Sequence, residues 1–276
     1  MTDRVEPVTR ALVDRLPVEV YDSEAAMGAA AAADMARLLR AAVRERGHAN
    51  VILATGNSQL AFLRALRVAP DVDWARVNVF HMDEYIGIDP DHRASFPRFL
   101  REHFLGHVDA RFFPISGDAA RVAATCAEYE RLLREHPADA VALGWGENGH
   151  LAFNDPPYAE FDDPVWVKAI KLDEVSRRQQ LGEGHFDSLD EVPTHAITLT
   201  IPALLAAKQV LCIVPEARKA NAVHDCLTLP VSEDRPGSVL RTVGHARLYL
   251  DPDSAARVAP LLATAAGQAA GSQARP

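Results

Sequence analysis

The sequence predicts an α/β protein built on a doubly wound, mainly parallel sheet with helices on both faces. Strand-like and helix-like segments alternate along most of the 276 residues, which is the pattern of strands joined by crossover helices. We see no linker-like stretch and no internal repeat, so we expect a single domain over residues 1–265. The tail 266–276, rich in Ala, Gly, Gln and Ser, is predicted to be disordered.

Each element is predicted from its own local pattern. Short apolar runs bounded by turn residues indicate strands: 18–21, 50–54, 76–82, 111–115, 139–143, 165–172, 194–201, 209–214 and 246–250. Apolar residues spaced three and four apart, between capping and stop signals, indicate helices: 22–47, 59–68, 94–104, 119–135, a turn at 202–206, 216–227 and 252–265. In the first helix we expect Asp22 or Ser23 as N-cap and Gly47 as the stop. The order of elements predicts a Rossmann-like arrangement.

Bulk composition limits the classes of protein to which the chain can belong. Apolar residues make up 48% and charged residues 24%, as in ordinary globular domains. The net charge of -9 argues against nucleic acid or an anionic membrane as the main partner. No apolar run is long enough to span a membrane, and residues 1–17 lack the apolar segment of a signal peptide. We therefore expect a cytoplasmic protein.

The cysteines and histidines give no sign of a metal site. Cys126, Cys212 and Cys226 are scattered and include no CxxC pair. We expect these thiols to be reduced, buried and structural. The histidines outside the loops described next show no metal-ligand spacing, so no metal site is predicted.

Ligands in open parallel sheets bind beyond the carboxyl ends of the strands, and three predicted strands end in polar loops. The first loop, after strand 50–54, consists of Thr55, Gly56, Asn57 and Ser58. Backbone N–H groups and hydroxyls in such a turn suit an anion, for example phosphate. A simple capped turn is the alternative interpretation.

The second loop follows strand 76–82 and contains Asp83 and Glu84. A carboxylate at the end of a central strand is in position to act as a base on a bound molecule. Two adjacent acids are also common as helix-capping or surface residues, so the motif alone leaves both interpretations open.

The third loop follows strand 139–143 and has the densest cluster of polar groups in the sequence. It reads GWGENGHLAFNDP over residues 144–156. His150, with Glu147 and Asp155 nearby, is typical of a general base oriented by an acid. Glycines here let the backbone approach a ligand closely. A structural histidine is the alternative.

Two cations further along the chain extend the candidate site. Arg177 lies in a polar segment, and Lys219 follows strand 209–214 by a few residues. Either would supply positive charge to a phosphate. A lone Lys or Arg is more often a solvated surface residue, so both interpretations stay open.

Five stretches in these regions carry a family resemblance. They are 54–58 (ATGNS), 82–85 (MDEY), 146–156 (GENGHLAFNDP), 176–177 (SR) and 218–220 (RKA). In their order and spacing the chain resembles the glucosamine-6-phosphate deaminase (isomerase) family, within the wider group that includes the 6-phosphogluconolactonases. The resemblance runs from about residue 18 to residue 255.

The resemblance implies conversion of glucosamine 6-phosphate to fructose 6-phosphate and ammonia, without a metal or organic cofactor. Asp83 would move a proton between C1 and C2 through an enol-type intermediate. His150 would open the pyranose ring, assisted by neighbouring acids. A segment of about 160–191 would be a mobile lid. The substrate, a small sugar phosphate, would be bound by Thr55, Gly56, Asn57, Ser58, Glu84, Arg177 and Lys219. The family includes more than one oligomeric state, which leaves a homo-oligomer open.

The chain departs from the family pattern beside the histidine. Asn148 stands where the family has an acid, and Asp155 stands where it has the longer glutamate. An amide cannot stabilise an imidazolium as a carboxylate does, and such an exchange beside a catalytic histidine can cost orders of magnitude in rate. We therefore expect Glu147 or Asp155 to take over the role, with Asn148 as a neighbour within the catalytic cluster.

Two other functions compete with the deaminase. A sugar-phosphate lactonase would use His150 to activate water but would have no need of Asp83 as an enolisation base. A non-catalytic hexosamine-phosphate sensor would explain the missing acid as lost activity. The motif at 82–85 and Phe153-Asn154 after the histidine disfavour the lactonase, and the acidic charge balance argues against a sugar-responsive regulator that binds DNA itself. The sequence leaves open which amino-sugar phosphate is used and whether an allosteric site exists.

Overall fold

The computed structural model describes residues 5–156, 158–172, 174–182 and 184–265. Its strands are β1 (Thr9–Val13), β2 (Leu16–Val20), β3 (Ala49–Leu53), β4 (Val77–His81), β5 (Asp83–Tyr85), β6 (Arg111–Phe113), β7 (Ala140–Leu143), β8 (Val167–Lys171), β9 (His195–Leu199), β10 (Val210–Val214) and β11 (Ala246–Leu250). Its α-helices are α1 (Glu24–Arg46), α2 (Leu60–Leu66), α3 (Phe96–His103), α4 (Val122–Glu135), α5 (Glu174–Gly182), α6 (Ile201–Leu205) and α7 (Ala220–Thr228). A terminal helical segment covers 259–265.

The main sheet has 8 strands in the order β1-β2-β11-β10-β7-β3-β4-β6. Every pairing is parallel except that of β1 with β2. This confirms the predicted mainly parallel α/β sheet. β1 has no counterpart among the predicted strands, because only Ala11 of its five residues is buried and its apolar pattern is therefore weak.

Apolar packing on both faces of the sheet explains why its central strands read as unbroken apolar runs. In β3, Val51 and Leu53 pack on the face covered by α1, α2 and α3, while Ile52 packs on the opposite face. β7 alternates in the same way, with Val141 and Leu143 on the second face, which α4, α6 and α7 cover. Burial on both faces is what a doubly wound sheet requires, so that prediction is confirmed.

The prediction of one sheet only is wrong. β8 and β9, expected as members of the main sheet, pair antiparallel with each other and with β5 in a separate three-stranded sheet, in the order β5-β9-β8. The chain leaves the main sheet at Met82, whose carbonyl accepts a hydrogen bond from the N–H of Leu199 at 2.8 Å. β8 exposes Ala169 and Lys171 and buries Val167 and Ile170, and the two buried side chains lie on opposite faces of the strand and pack in different apolar clusters.

The long first helix begins and ends at the predicted signals. The Ser23 hydroxyl accepts a hydrogen bond from the N–H of Ala26, and Gly47 adopts a left-handed φ of 82° just after the last turn. α5 lies within the polar segment for which no helix is predicted. Among its described side chains the fully buried ones, Ser176 and Gln180, are polar, so apolar periodicity could not reveal it.

Three further predictions concern membrane-spanning helices, the C-terminal tail and the number of domains. Within the described ranges, no helix combines the length and apolar character needed to cross a membrane. The predicted disordered tail 266–276 lies outside the described residues. The assignment of residues 1–265 to a single domain stays a prediction.

Candidate active site

A cavity opens where the carboxyl ends of β3, β4, β7 and β10 meet, with α5 above it. Its volume, open mouth included, is about 570 Å³. All three predicted loops contribute to its wall, as the rule for parallel sheets requires. Of the predicted site residues, the cavity is lined by Thr55, Gly56, Ser58, Asp83, His150 and Lys219.

One end of the cavity has the character of an anion site. Gly56, with a φ of 96°, turns the chain after β3, a conformation that glycine adopts without strain. The hydroxyl residues Thr55 and Ser58 lie on either side of it and line the wall. Lys219 comes from the 3₁₀ turn after β10 and is only 2% exposed. A buried ammonium beside two hydroxyl side chains favours an anionic group at this end. Asn57 belongs to the same turn but does not line the cavity.

Asp83 is the buried carboxylate of the second loop. It is the first residue of β5, and its side chain lines the cavity. Burial, with the neighbouring charge of Glu84 as a second cause, raises the pKa of Asp83 well above its usual range. A carboxylate with a raised pKa is a stronger base once it is deprotonated, which suits proton abstraction near neutral pH.

Glu84 does not line this cavity, and its predicted substrate contact stays a prediction. Successive side chains of a strand point to opposite faces, and Glu84 therefore lies opposite Asp83. Its carboxylate accepts hydrogen bonds from the Ser95 hydroxyl at 2.8 Å, the Tyr85 N–H at 2.9 Å and the Phe96 N–H at 3.4 Å. It thereby joins β5 to the start of α3. Burial raises the pKa of Glu84 to about 7, against the opposing effect of these bonds.

His150 is paired with Asp155 at the other side of the cavity. Its Nδ1 lies 2.7 Å from Oδ1 of Asp155, which is 1% exposed. The Asn148 amide donates to the same oxygen at 2.7 Å, and its own oxygen accepts the His150 N–H at 3.1 Å. The Ser176 hydroxyl lies 2.8 Å from both carboxylate oxygens. Asp155 and Asn148 thus stand behind the ring rather than on the cavity wall.

The balance of forces on Asp155 is opposite to that on Asp83. Burial by itself would raise the pKa of Asp155, but the charge of His150 and the hydrogen bonds from His150, Asn148 and Ser176 outweigh it. The net result is a pKa below the usual range. Asp155 is therefore an ionised partner that holds the imidazole in one orientation.

Of the two acids considered for this role, the structure favours Asp155 over Glu147. Glu147 is 41% exposed in its side chain and lies 3.5 Å from Arg218, away from the histidine. The structure therefore does not bring Glu147 to the histidine, and a catalytic role for Glu147 stays a prediction. Its backbone N–H donates instead to Gln179 of α5 at 3.2 Å.

Gly146 makes room for the histidine ring. A Cβ atom at this position would stand 2.1 Å from Cε1 of His150, far inside any normal contact. The ring therefore packs against bare backbone. Gly149 turns the loop with a φ of 81°, so each of these glycines has a definite steric task.

Arg177 is a further predicted site residue that does not line the cavity. Its guanidinium donates to the carbonyls of Leu189 at 2.6 Å and Val192 at 2.8 Å. In this arrangement it ties α5 to the following segment. The phosphate contact of Arg177 stays a prediction.

Several cavity residues were absent from the sequence-based set. They are Gln59, Phe96, Trp145, Phe153, Gln179 and Gln180, with Ser176 behind the wall. Gln59 directly follows the first loop, and Trp145 and Phe153 lie inside the third, so proximity to the motifs was a usable signal. Gln179 and Gln180 closely follow the stretch 176–177, but no local pattern shows that their helix packs on the site, because that packing depends on tertiary contacts. Within the described parts of the chain, no group of three or more His, Cys, Asp or Glu side chains is suited to a metal ion.

Comparison with known proteins agrees with this geometry. A family model described as glucosamine-6-phosphate isomerases/6-phosphogluconolactonase matches residues 22–249. A protein of Exiguobacterium sibiricum named glucosamine-6-phosphate deaminase is 37% identical over 205 residues, 74% of this chain and 79% of its own. A protein of the same name from Lactobacillus delbrueckii subsp. bulgaricus is 32% identical over 220 residues, 79% of this chain and 90% of its own.

Solved structures extend the comparison to the fold. A monomeric glucosamine-6-phosphate deaminase is similar with a TM-score of 0.79 and 28% identity, covering 87% of this chain and 99% of its own. The 6-phosphogluconolactonase of Trypanosoma brucei has a TM-score of 0.72 at 19% identity, covering 88% and 98%, a likeness of fold alone. The chain therefore belongs to the family of glucosamine-6-phosphate isomerases and 6-phosphogluconolactonases, as its motifs predict.

Proposed function

We propose that this protein is a glucosamine-6-phosphate deaminase, which converts glucosamine 6-phosphate to fructose 6-phosphate and ammonia. The observation that carries the proposal is the presence of two separate acid–base groups on one cavity. Asp83 and His150 both line it, and His150 is paired with Asp155 behind the wall, while Thr55, Ser58 and Lys219 give the same cavity anion-binding character. The names of the curated relatives support the same reaction.

His150 is assigned to ring opening. Its Nδ1 is committed to Asp155, which leaves Nε2 to exchange protons with a ligand. Nε2 takes the proton of the anomeric hydroxyl and returns one to the pyranose ring oxygen as the C1–O5 bond breaks. The imidazole therefore has no net change in charge once the step is complete. Ionised Asp155 stabilises the imidazolium that forms in between.

Asp83 is assigned to isomerisation. Its carboxylate takes the proton from C2 of the open aldehyde as O1 gains a proton, which leaves an enol-type intermediate, and it then returns the C2 proton to C1 while the amino nitrogen gives up one of its protons. The product is an imine at C2, which water hydrolyses to the ketone with release of ammonia. Proton abstraction next to a carbonyl requires a base within hydrogen-bond reach, and the raised pKa of Asp83 matches that task.

The anionic handle of the substrate is assigned to the other end of the cavity. Thr55, Ser58 and Lys219 line that end, and Gly56 lets the backbone approach a phosphate closely. Binding energy from a phosphate remote from C1 and C2 orients the reacting carbons without taking part in the chemistry.

A lactonase is the second candidate, since lactonases share the fold. Hydrolysis of a lactone uses one base to activate water, and a buried carboxylate such as Asp83 has no task in it. A sensor is the third candidate. The intact pair of His150 and Asp155 argues against it, because binding alone does not need an ionised, hydrogen-bonded partner behind the histidine.

The decisive experiment measures ammonia and fructose 6-phosphate released from glucosamine 6-phosphate by the purified chain. Galactosamine 6-phosphate, N-acetylglucosamine 6-phosphate and 6-phosphogluconolactone serve as competing substrates, and Asp83→Asn is the active-site control. We expect ammonia release that the Asp83 variant loses. Lactone hydrolysis retained by that variant, without ammonia from any amino sugar, would establish the lactonase. Tight binding without turnover would establish the sensor.

A further inference from the structure

α5 is joined to the active site through polar contacts from three of its side chains. Ser176 bonds to Asp155 at 2.8 Å, Gln179 accepts the Glu147 N–H at 3.2 Å, and Gln180 accepts the Tyr85 hydroxyl at 2.7 Å. These partners lie in the third loop and in β5, the two segments that carry the acid–base groups. The position of α5 is therefore linked directly to the catalytic segments.

Ser176 is the member of this set that touches the catalytic pair. Its hydroxyl is 1% exposed, 2.8 Å from both oxygens of Asp155 and 3.4 Å from Nδ1 of His150. Among the described residues, Asn148 and His150 also donate to the Asp155 side chain, and both belong to the same loop as Asp155. Ser176 therefore donates from a different element, α5, and holds the carboxylate of Asp155 from outside the loop to which Asp155 belongs.

We propose that Ser176, supplied from α5, is a positioning residue for the His150–Asp155 pair. With the Ser176 hydroxyl in place, Asp155 keeps the rotamer that accepts the Nδ1–H of His150, and Nε2 is presented to the ligand. Without this hydroxyl, Asp155 loses a donor and the imidazole loses part of what fixes its orientation.

The chemistry of Ser176 explains how the site works with Asn148 in place of an acid. Asp155 is a single buried carboxylate, and hydrogen bonds to the charged form stabilise it. Asn148 and Ser176 supply such bonds from two sides. One carboxylate held by two donors therefore serves where the family pattern has two acids. This inference rests on the proposed function, which assigns ring opening to the His150–Asp155 pair.

The test compares Ser176→Ala, Ser176→Thr and the matched control Arg178→Ala. Arg178 lies on the same helix, is exposed, and its guanidinium pairs with Glu174 one turn away. We expect Ser176→Ala to lower kcat about 10- to 100-fold, with KM for glucosamine 6-phosphate little changed because Ser176 does not line the cavity. The acid limb of the kcat profile should move to higher pH, since Asp155 loses a bond to its charged form. Ser176→Thr keeps the hydroxyl and should restore both.

A second readout does not depend on activity. The ¹⁵N NMR signals of the His150 ring in the free protein, assigned with a His150→Gln variant, report which nitrogen carries the proton at mildly alkaline pH. We expect the Nδ1–H tautomer in the wild type and in Ser176→Thr, and a mixture of tautomers in Ser176→Ala. This result would stand even if the protein released no ammonia, so failure of the proposed function and failure of this inference are distinguishable.

Three outcomes would overturn the inference. The first is an unchanged tautomer and an unchanged kcat in Ser176→Ala. The second is a fall in kcat that Ser176→Thr does not restore and that leaves the pH profile in place, which would mean that Ser176 only packs. The third is an equal loss in Arg178→Ala, which would assign the effect to the stability of α5.

Discussion

Asp83 and Asp155 are both buried at the active site, yet their surroundings shift their pKa values in opposite directions. Asp83 opens on the cavity, and its burial together with Glu84 raises its pKa. Asp155 stands behind His150, where the charge of the ring and three hydrogen-bond donors overcome burial and lower its pKa. The same type of side chain therefore acts as a base at position 83 and as a fixed anion at position 155.

The difference teaches how to assign roles from surroundings rather than from residue type. Groups whose environments push their pKa values apart are those that divide acid–base work between them. A base needs access to the ligand and affinity for a proton, which Asp83 has. An orienting anion needs donors and no access, which Asp155 has. The following substitutions test this contrast, beginning with the largest expected effect.

Replacing Asp83 with asparagine should lower kcat for ammonia release by about 10⁴-fold, because the proton acceptor is removed while the shape is kept. The folded-state pKa of Asp83 is raised, so its favourable contribution to stability exists at low pH and is lost as pH rises through that pKa. Asparagine does not ionise, so the variant does not undergo this loss of stability as pH rises. The variant should therefore unfold at a higher temperature than the wild type at mildly alkaline pH, as thermal denaturation would measure. A lower Tm would contradict the assignment of Asp83 as a destabilised carboxylate.

Replacing Asp155 with asparagine should lower kcat by about 10²-fold, because the imidazole loses its ionised partner. Here the folded-state pKa is lowered, so the stabilising contribution is present above the unfolded pKa and is lost as pH falls through the folded one. The variant should have a lower Tm than the wild type at neutral pH, and the difference should shrink in acid. A variant whose Tm equals that of the wild type at both neutral and acidic pH would argue against the ionised pair.

The Asn148→Asp substitution sharpens the contrast by adding the acid that the family pattern has. It would place a second carboxylate within about 3 Å of Asp155, and two such groups share one proton, so the net charge beside His150 stays near a single negative. We expect a change in kcat of less than about tenfold and an acid limb displaced to higher pH. A pH–rate profile identical to that of the wild type would show that residue 148 is not electrically coupled to Asp155.

The Glu84→Gln substitution should have the smallest effect on catalysis, because Glu84 lies outside the cavity. We expect KM to stay within about twofold of the wild type, while the acid limb of the kcat profile moves to lower pH, because the charge of Glu84 is the second cause of the raised pKa of Asp83. The pKa of Glu84 is raised to about 7, so its stabilising contribution is present below the unfolded pKa and fades as pH rises through 7. The variant should lose less stability than the wild type between weakly acidic and alkaline pH. A large rise in KM would instead restore Glu84 to the substrate site.

Local sequence patterns predicted most of the scaffold of the site. The caps Ser23 and Gly47 were found from residue type alone, because helix ends are determined by nearby backbone and side-chain groups. The central strands were found because burial on both faces leaves an unbroken apolar run. α5 and the second sheet were not found, since a helix that buries polar side chains and an antiparallel sheet assembled from distant segments leave little local pattern.

At the active site the sequence by itself determined which loops meet. The alternation of strands and helices makes the sheet parallel, and parallel strands bring their carboxyl ends to one edge, so Asp83, His150 and the loop of Thr55 had to lie near one another. Only the tertiary structure decided that Asp155 rather than Glu147 holds the histidine, that Glu84 and Arg177 turn away from the cavity, and that Ser176 reaches the catalytic pair. The physical reason is that strand direction follows from chain order, whereas the partner of a side chain depends on the pleat of its strand and on contacts between segments far apart in the chain.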